Sequence, residues 1–346
     1  MKEQNMKTIT VKSEHKYEVC VGTDAFSEIR RISKEKHKVL VLSPSSIVKK
    51  YRIKESKNLS IFITPEGENQ KSVSALNRIW HRCATLGIQR SDAIIGIGGG
   101  ATTDLAGFVA ATWLRGIDWY AIPTSLAGMV DAAIGGKTGI NSPKGKNLIG
   151  AFHSPIQVIV DTKFLQTLAL RDLNAGMAEV IKCGFIEDYK ILNLVQDEIV
   201  DFDELIYRSV RVKAKIVSQD FKESRKREIL NYGHTLGHAI EKDSKYRLRH
   251  GEAVAIGMVF AAELSKKLAG LSGEAVELHR VLATNFNLPI TYPKDRFSAL
   301  QKLMLRDKKV KSGKLRFIGL DGIGKPVWLE DIELGEIAEV YERIAK

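Results

Sequence analysis

The run Ala93–Gly100, AIIGIGGG, leading at once into ATTDLAGFVAATWLRG, constrains the fold more than any other stretch of this 346-residue chain. A short β-branched run ended by turn residues reads as a strand, and the segment after it has the pattern of a helix. Gly96–Ala101 (GIGGGA) fits G-x-G-x-x-G/A at that strand-to-helix junction. Glycines there let backbone N–H groups approach a pyrophosphate seated at the positive helix N-terminus. A tight strand-to-helix turn needs glycine as well, so the motif alone leaves both readings open. Asp104, in the first turn of the helix, has the wrong charge for a phosphate and suits a cofactor hydroxyl or amide.

The flanking sequence repeats this alternation. KVLVLSPS and LSIFITP read as strands. SVSALNRIWHRCATLG reads as a helix with Val73, Leu76, Ile79 and Trp80 at helical spacing and Gly87 as its stop. IDWYAIPTS and IQVIVDT are further strands. Strands alternating with helices predict an α/β, Rossmann-like parallel sheet with helices on both faces. From about Leu168 the period becomes 3.6: LRDLNAGMAEVIKCGFI, DFDELIYRSVRVKAKIVSQD, REILNYGHTLGHAIEK, GEAVAIGMVFAAELSKKLAG and EAVELHRVLATNFN all read as helices, with one β-like piece, LRFIGL. The expected division is residues 1–167, a dinucleotide-binding α/β domain, and residues 168–346, a mainly helical domain.

Composition narrows the function classes. The chain has 44% hydrophobic and 27% charged residues, as in soluble globular proteins. The N-terminal MKEQNMKTITV lacks an apolar signal region, and the run AVAIGMVFAA is half the roughly 20 residues of a membrane span. Cys20, Cys83 and Cys183 are far apart with no C-x-x-C spacing, which argues against disulfides or a thiolate zinc site and for a reducing cytoplasm. There are 53 basic and 41 acidic residues, a net charge of +12. The basic residues are scattered apart from KESRKRE (222–228), and no basic-aromatic stripe accompanies them. The excess therefore points to an anionic small molecule rather than nucleic acid or membrane.

Two stretches carry candidate chemistry. ILNYGHTLGHAIE puts His234 and His238 four residues apart, a spacing compatible with one shared metal ion or with an ordinary hydrogen-bonded pair. The glutamate of H-E-x-x-H metalloproteases is missing. DAAIGGKTGINSPKGKNLIGAF brings Asp131, Lys137, Lys146 and Asn147 into a glycine-dense, loop-like context. It reads either as an anion pocket or as a solvated surface loop.

Taken together, seven stretches resemble the 3-dehydroquinate synthases, a family of sugar-phosphate cyclases. They are PEGENQK (65–71), GGGATTDLAGFVAATWLRG (98–116), IPTSLAGMVDAAIGGKTGINSPKGKNLIGAFHSP (122–155), LNAGMAEVIKCG (173–184), LNYGHTLGHAIE (230–241), LRHGEAVAIGM (248–258) and MLRDKKVKSGKLRFI (304–318), in family order over about three quarters of the chain. The resemblance implies that Glu179, His234 and His250 hold a zinc or cobalt ion, while His238 belongs to the substrate pocket. It implies NAD+ contacts at Glu66, Gly67, Glu68, Asn69, Gln70 and Lys71, and at Gly99, Gly100, Ala101, Thr102, Thr103 and Asp104. Further NAD+ contacts fall at Thr124, Ser125 (commonly threonine), Lys137, Lys146, Phe164, Leu165, Gln166 and Thr167.

The implied substrate is 3-deoxy-D-arabino-heptulosonate 7-phosphate, a doubly anionic sugar acid. Its pocket maps onto Asp131, Lys137, Asn147, Lys182, Lys213, Glu223, Arg227, Asn231, His238 and Lys308, with Arg115 reaching the neighbouring subunit of a homodimer. Phe221 and Lys222 depart from the family's usual residues. In the implied reaction NAD+ takes and returns one hydride, phosphate leaves by β-elimination, and ring opening and aldol closure give 3-dehydroquinate in the shikimate pathway to aromatic amino acids. The alternatives are a sister cyclase acting on a carboxylate-free sugar phosphate, or a metal-dependent polyol dehydrogenase that releases NADH. Arg227 is expected to face inward and pair with the substrate carboxylate. With Asn231 and His234 it is expected on one face of a continuous helix.

Overall fold

The structure, a computed structural model, describes residues 6–307 and 315–346. The chain begins with an antiparallel pair, β1 (Lys7–Lys12) and β2 (Lys16–Val21), and then alternates. The order is α1 (Ala25–Glu35), β3 (Val39–Pro44), α2 (Ser45–Tyr51), β4 (Leu59–Thr64), α3 (Val73–Leu86), β5 (Ala93–Gly98), α4 (Gly100–Thr112) and β6 (Asp118–Pro123). A hairpin, β7 (Lys137–Ser142) and β8 (Gly145–Phe152), precedes β9 (Gln157–Val160). The second half supplies α5 (Leu170–Ile186), α6 (Lys190–Leu194), α7 (Phe202–Gln219), α8 (His234–Asp243), α9 (His250–Leu268), α10 (Gly273–Asn285) and α11 (Phe297–Asp307). A second hairpin, β10 (Leu315–Gly322) and β11 (Lys325–Ile332), leads to α12 (Leu334–Tyr341).

The chain groups into two compact units. One comprises residues up to Leu168 together with Phe202–Lys222, and the other Ala169–Asp201 together with Glu223–Lys346. The sequence suggested a single boundary between residues 167 and 168. The chain first leaves the first unit after Leu168, and α7 returns to it. There the backbone N–H of Lys12 donates to Ser218 Oγ at 2.9 Å, and Lys7 pairs with Glu204 at 2.5 Å.

The first unit is built on a seven-stranded sheet in the order β1-β2-β9-β6-β5-β3-β4, parallel except for β1. Every residue of β3 and β5 is buried, which is why these strands read as unbroken apolar runs. The chain moves outward from β3 to β4 and then returns to place β5 on the other side of β3. Strand order therefore reverses between β3 and β5, whose carboxyl ends are Pro44 and Gly98. Ligands of open α/β sheets bind at such a switch point. The flanking helices start and stop as their sequences direct. The Ser72 hydroxyl caps α3 by accepting from Ala75 N, and Gly87 ends that helix in the left-handed region at φ 62°.

The second unit buries a core from α8, α9, α11, β10, β11 and α12, including Leu236, Phe260, Leu300, Phe317 and Tyr341. Among the described residues no helix is long and apolar enough to cross a membrane.

Two local expectations need correction. The glycine-dense segment with Lys137 and Lys146 is the hairpin β7–β8 rather than a loop; Asn147, on β8, has φ 56°. The helix expected through residues 227–242 is broken. Lys226–Asn231 forms a 3-10 turn, Tyr232 is extended, and Gly233 turns the backbone at φ 79° before α8 starts at His234. A Cβ at Gly233 would lie 2.6 Å from Met258 Cγ, so α9 enforces both the glycine and the break.

Candidate functional site: a carboxylate–imidazole cage and a glycine turn

In the second unit three helices converge through contacts that need glycine. A Cβ at Gly251, beside His250, would overlap the carbonyl of Ala175, one turn before Glu179 on α5. A Cβ at Gly257 would overlap the carbonyl of Gly233, beside His234. These two approaches bring Glu179, His234 and His250 together, so that one ligand atom from each lies within 4.8 Å of the others. His234 Nε2 and His250 Nε2 face the same oxygen, Glu179 Oε1, at 3.5 and 3.2 Å. Lys182, one turn along α5, pairs with Oε2. Glu179 is 1% exposed, and neither of its oxygens takes part in a hydrogen bond of ordinary geometry.

The other nitrogen of each imidazole is engaged by an acceptor. His234 Nδ1 donates to the carbonyl of Tyr232 at 3.1 Å, and His250 Nδ1 to Glu241 Oε2 at 2.9 Å. An imidazole tied through Nδ1–H presents its Nε2 inward, the arrangement by which proteins orient metal-binding histidines. Electrostatics differ between the two rings. Burial, reinforced by the Lys182 charge, pushes His234 down to about 3, so its ring is neutral. Burial opposes protonation of His250 too, but Glu179 and Glu241 outweigh it and raise the ring to about 10. Glu179 would be raised by burial, yet the Lys182 charge, joined by that of His250, holds it well below the usual carboxylate range. One carboxylate and two imidazoles so placed form a donor set able to hold a divalent ion while leaving positions open.

Around this cage, His238 has its ring centroid 5.3 Å from that of His234 and 5.9 Å from that of His250, but it does not belong to the Glu179 group. It falls instead in a second group with Glu241 and His250. Arg227 is 2% exposed while Lys226 beside it is exposed, so the basic cluster does turn one guanidinium inward. The 3-10 turn carries it there, and the shared-helix reason offered from sequence does not hold. Asn231 Nδ2 donates to Glu223 Oε1 at 3.1 Å, across a turn where Glu223 has φ 60°. Lys308 lies outside the described residues.

The first unit holds the glycine turn. Gly99 starts α4 without a side-chain cap, and Thr124 N donates to the carbonyl of Gly98 at 2.8 Å. A Cβ at Gly100 would come within 2.9 Å of Ala132. Thr102 and Thr103 are buried, and Ser125 Oγ accepts from Gly128 N at 3.3 Å. In front of the helix, Lys71 pairs with Asp104 at 2.5 Å and also donates to Asn147 Oδ1. Burial pushes Asp104 up, with Lys71 opposing. Glu68 accepts from Asn141 Nδ2 at 2.8 Å, and Glu66 accepts from both N and Oγ of Ser46 at 2.9 Å. Gly67, Asn69 and Gln70 complete a 3-10 turn, with Gln70 buried. Phe164 and Leu165 are buried, Gln166 is exposed, and the Thr167 hydroxyl meets that of Tyr51 at 2.6 Å. Lys137 opens β7 on the surface, and Lys146 is the second residue of β8. Lys213 of α7 pairs with Asp131 at 2.5 Å. Arg115 is exposed on a turn where it and Leu114 both have left-handed backbones, at φ 66° and 50°.

Sequence reasoning missed Glu241 and Tyr232, which hold the two cage imidazoles, and His279, which bonds to the Tyr232 hydroxyl. Glu241 carries a usable signal, lying seven residues after His234 on the same helix face; the other two carry none.

The chain matches the models of the 3-dehydroquinate synthase N-terminal domain over residues 61–175 and C-terminal domain over residues 176–310. It is 43% identical to a 3-dehydroquinate synthase of Mycolicibacterium vanbaalenii over 98% of each chain. Among solved structures, it resembles 2-deoxy-scyllo-inosose synthase complexed with carbaglucose-6-phosphate, NAD+ and Co2+ (TM-score 0.84, 26% identity, 97% of this chain and 100% of that one). It shares its fold with a 2-epi-5-epi-valiolone synthase of Streptomyces hygroscopicus bearing NAD+ and Zn2+ (TM-score 0.85, 22% identity, 97% of this chain and 98% of that one). This chain belongs to the 3-dehydroquinate synthase family.

Proposed function

We propose that the protein is a 3-dehydroquinate synthase, converting 3-deoxy-D-arabino-heptulosonate 7-phosphate to 3-dehydroquinate and phosphate with NAD+ and Zn2+ or Co2+. The observation that carries this reading is the Glu179–His234–His250 donor set, in a chain 43% identical over 98% of its length to an enzyme of that name. The donor set fits a catalytic divalent ion: both imidazoles are fixed through Nδ1, and a buried carboxylate lacks ordinary hydrogen bonds. The glycine turn at an uncapped helix N-terminus, at the sheet's switch point, fits a dinucleotide. Bound there, the ion would polarise a substrate hydroxyl and the dinucleotide would take and return a hydride.

The chain's own groups supply the rest. Glu179 is kept ionised by Lys182 and His250. Arg227 offers a buried planar fork that matches a carboxylate, which the sister substrates lack. Lys213, held against Asp131, and Lys137 are the further basic groups that this reading assigns to the anionic substrate. The same reading takes the protein as a cytoplasmic homodimer, with the outward Arg115 serving the partner's site; the strained turn that displays it supports that role.

The test is incubation with the heptulosonate phosphate, NAD+ and zinc. Phosphate and 3-dehydroquinate should form in equal amounts with no build-up of NADH. Stoichiometric NADH would move the protein to the dehydrogenases. Turnover of a carboxylate-free hexose phosphate in place of the sugar acid would move it to the sister cyclases. Sedimentation tests the dimer.

A further inference from the structure

We propose that the buried Tyr232–His279 pair is a relay that positions His234 for the metal ion; this rests on reading Glu179, His234 and His250 as the metal cage. His279 is 2% exposed on α10, and burial pushes its ring down to about 3, so it is neutral and carries one proton. Its Nδ1 lies 2.6 Å from the carbonyl of Ala275, which can only accept, so the proton is on Nδ1. Its Nε2 is then an acceptor, and the Tyr232 hydroxyl 2.9 Å away must donate to it. The ring has no freedom to rotate out of this bond, because it stacks on Phe185 of α5 with centroids 3.4 Å apart and planes 7° from parallel. Phe185 shares that helix with Glu179.

Tyr232 is fully buried and sits at the break before α8, where no helix hydrogen bonding fixes the direction of its carbonyl. That carbonyl is the group accepting from His234 Nδ1. The tether on the Tyr232 ring therefore sets where the carbonyl points, which selects the tautomer of His234 and aims its Nε2 at the cage. The path runs from a neutral histidine on α10, through a tyrosine, to His234 on α8. Both side chains are buried and act through His234, so Tyr232 and His279 are positioning residues.

The test uses Tyr232→Phe, His279→Ala and His279→Gln in the full chain, with His234→Ala as the reference. Zinc affinity of the metal-free protein is measured by competition with a chromogenic chelator, and the Co2+-loaded protein is examined for its visible ligand-field bands. Outer partners of metal-binding histidines typically contribute about 10- to 100-fold in affinity, so one bond further out a loss of about 3- to 30-fold is expected for Tyr232→Phe and His279→Ala, with shifted cobalt bands. His279→Gln, whose amide oxygen can accept from Tyr232, should restore most of the affinity and the native bands. Unchanged affinity and bands in Tyr232→Phe, with His234→Ala stripped of metal, would overturn the relay and leave the cage intact. Retention of the ion by His234→Ala would overturn the cage, and the relay with it. If His279→Ala does not fold, Tyr232→Phe decides alone.

Discussion

Adding one methyl group at Gly251 should disable the cage without touching a ligand. The Cβ of Gly251→Ala would sit inside contact distance of the Ala175 carbonyl carbon and oxygen, and these are backbone atoms that cannot swing aside. Relief requires α9 to move from α5 by on the order of 1 Å, to restore ordinary van der Waals spacing. His250 opens α9, and its Nε2 stands 3.2 Å from Glu179 Oε1, so the displacement falls directly on the pair of ligand atoms. Overpacking of this kind costs about 1–3 kcal/mol of stability. Misplacing a catalytic group by an ångström can cost about 100-fold in rate. The expected result is thermal unfolding a few degrees lower, zinc affinity at least tenfold weaker by chelator competition, and activity at saturating zinc reduced by about two orders of magnitude. Gly335→Ala is the control, because a Cβ at Gly335 meets nothing within 4 Å. Native zinc affinity and turnover in Gly251→Ala would refute the argument that the helix approach sets the cage.

Three other outcomes follow from the site. Arg227→Ala should lower kcat/KM by about 30- to 1000-fold, the equivalent of about 2–4 kcal/mol for a charge-assisted pair in a desolvated place; Arg227→Lys should recover part of it and Lys226→Ala should change little, as steady-state kinetics at fixed ionic strength will show. His250→Ala should lose the ion and His238→Ala should keep it, as read by metal analysis of the purified variants; loss of the ion from both would shift the site to the His238–Glu241–His250 group, and its retention by His250→Ala would refute both groups. Because His250 is raised to about 10 in the metal-free protein, its Nε2 carries a proton through neutral pH that an incoming ion must displace. Zinc affinity, corrected for the metal's own hydrolysis, should therefore climb about tenfold per pH unit below that value, with about one proton released per ion in titration calorimetry.

What could be read in the sequence followed from burial. Strands β3, β5 and β6 are enclosed on both faces, so they appear as apolar runs; the 3.6-residue period of α10 reports a helix with one face in a core, while α5 and α9 are buried on all sides over Ala175–Ile186 and Gly251–Ser265. The hairpin β7–β8 escaped because β8 is almost entirely exposed and lacks the alternation that marks a half-buried strand. Its glycines are there because Gly139 and Gly150 face each other's strands too closely for a side chain, which in sequence looks like loop composition. The break at Gly233 escaped because a single glycine inside a helical period is normally tolerated. Only the approach of Met258, 25 residues later, makes that glycine a turn. The helical spacing of His234 and His238 was likewise a poor guide, since the ring grouped with Glu179 and His234 comes from another helix.

The return of α7 to the first unit means that this unit has no end at Leu168. A chain cut there would carry the sheet and the glycine turn but leave bare the surface on β1, β2 and the turn at Gly128–Ala132 against which α7 packs, a helix whose Leu205, Ile206, Val210 and Val217 are buried. It would also lose Lys213 opposite Asp131. The dinucleotide-type half is thus not a detachable module. On the ribosome it must wait, its edge uncovered, while the first helices of the other unit are made. In evolution it cannot be traded between genes by one crossover, because any exchange has to splice the chain at three places.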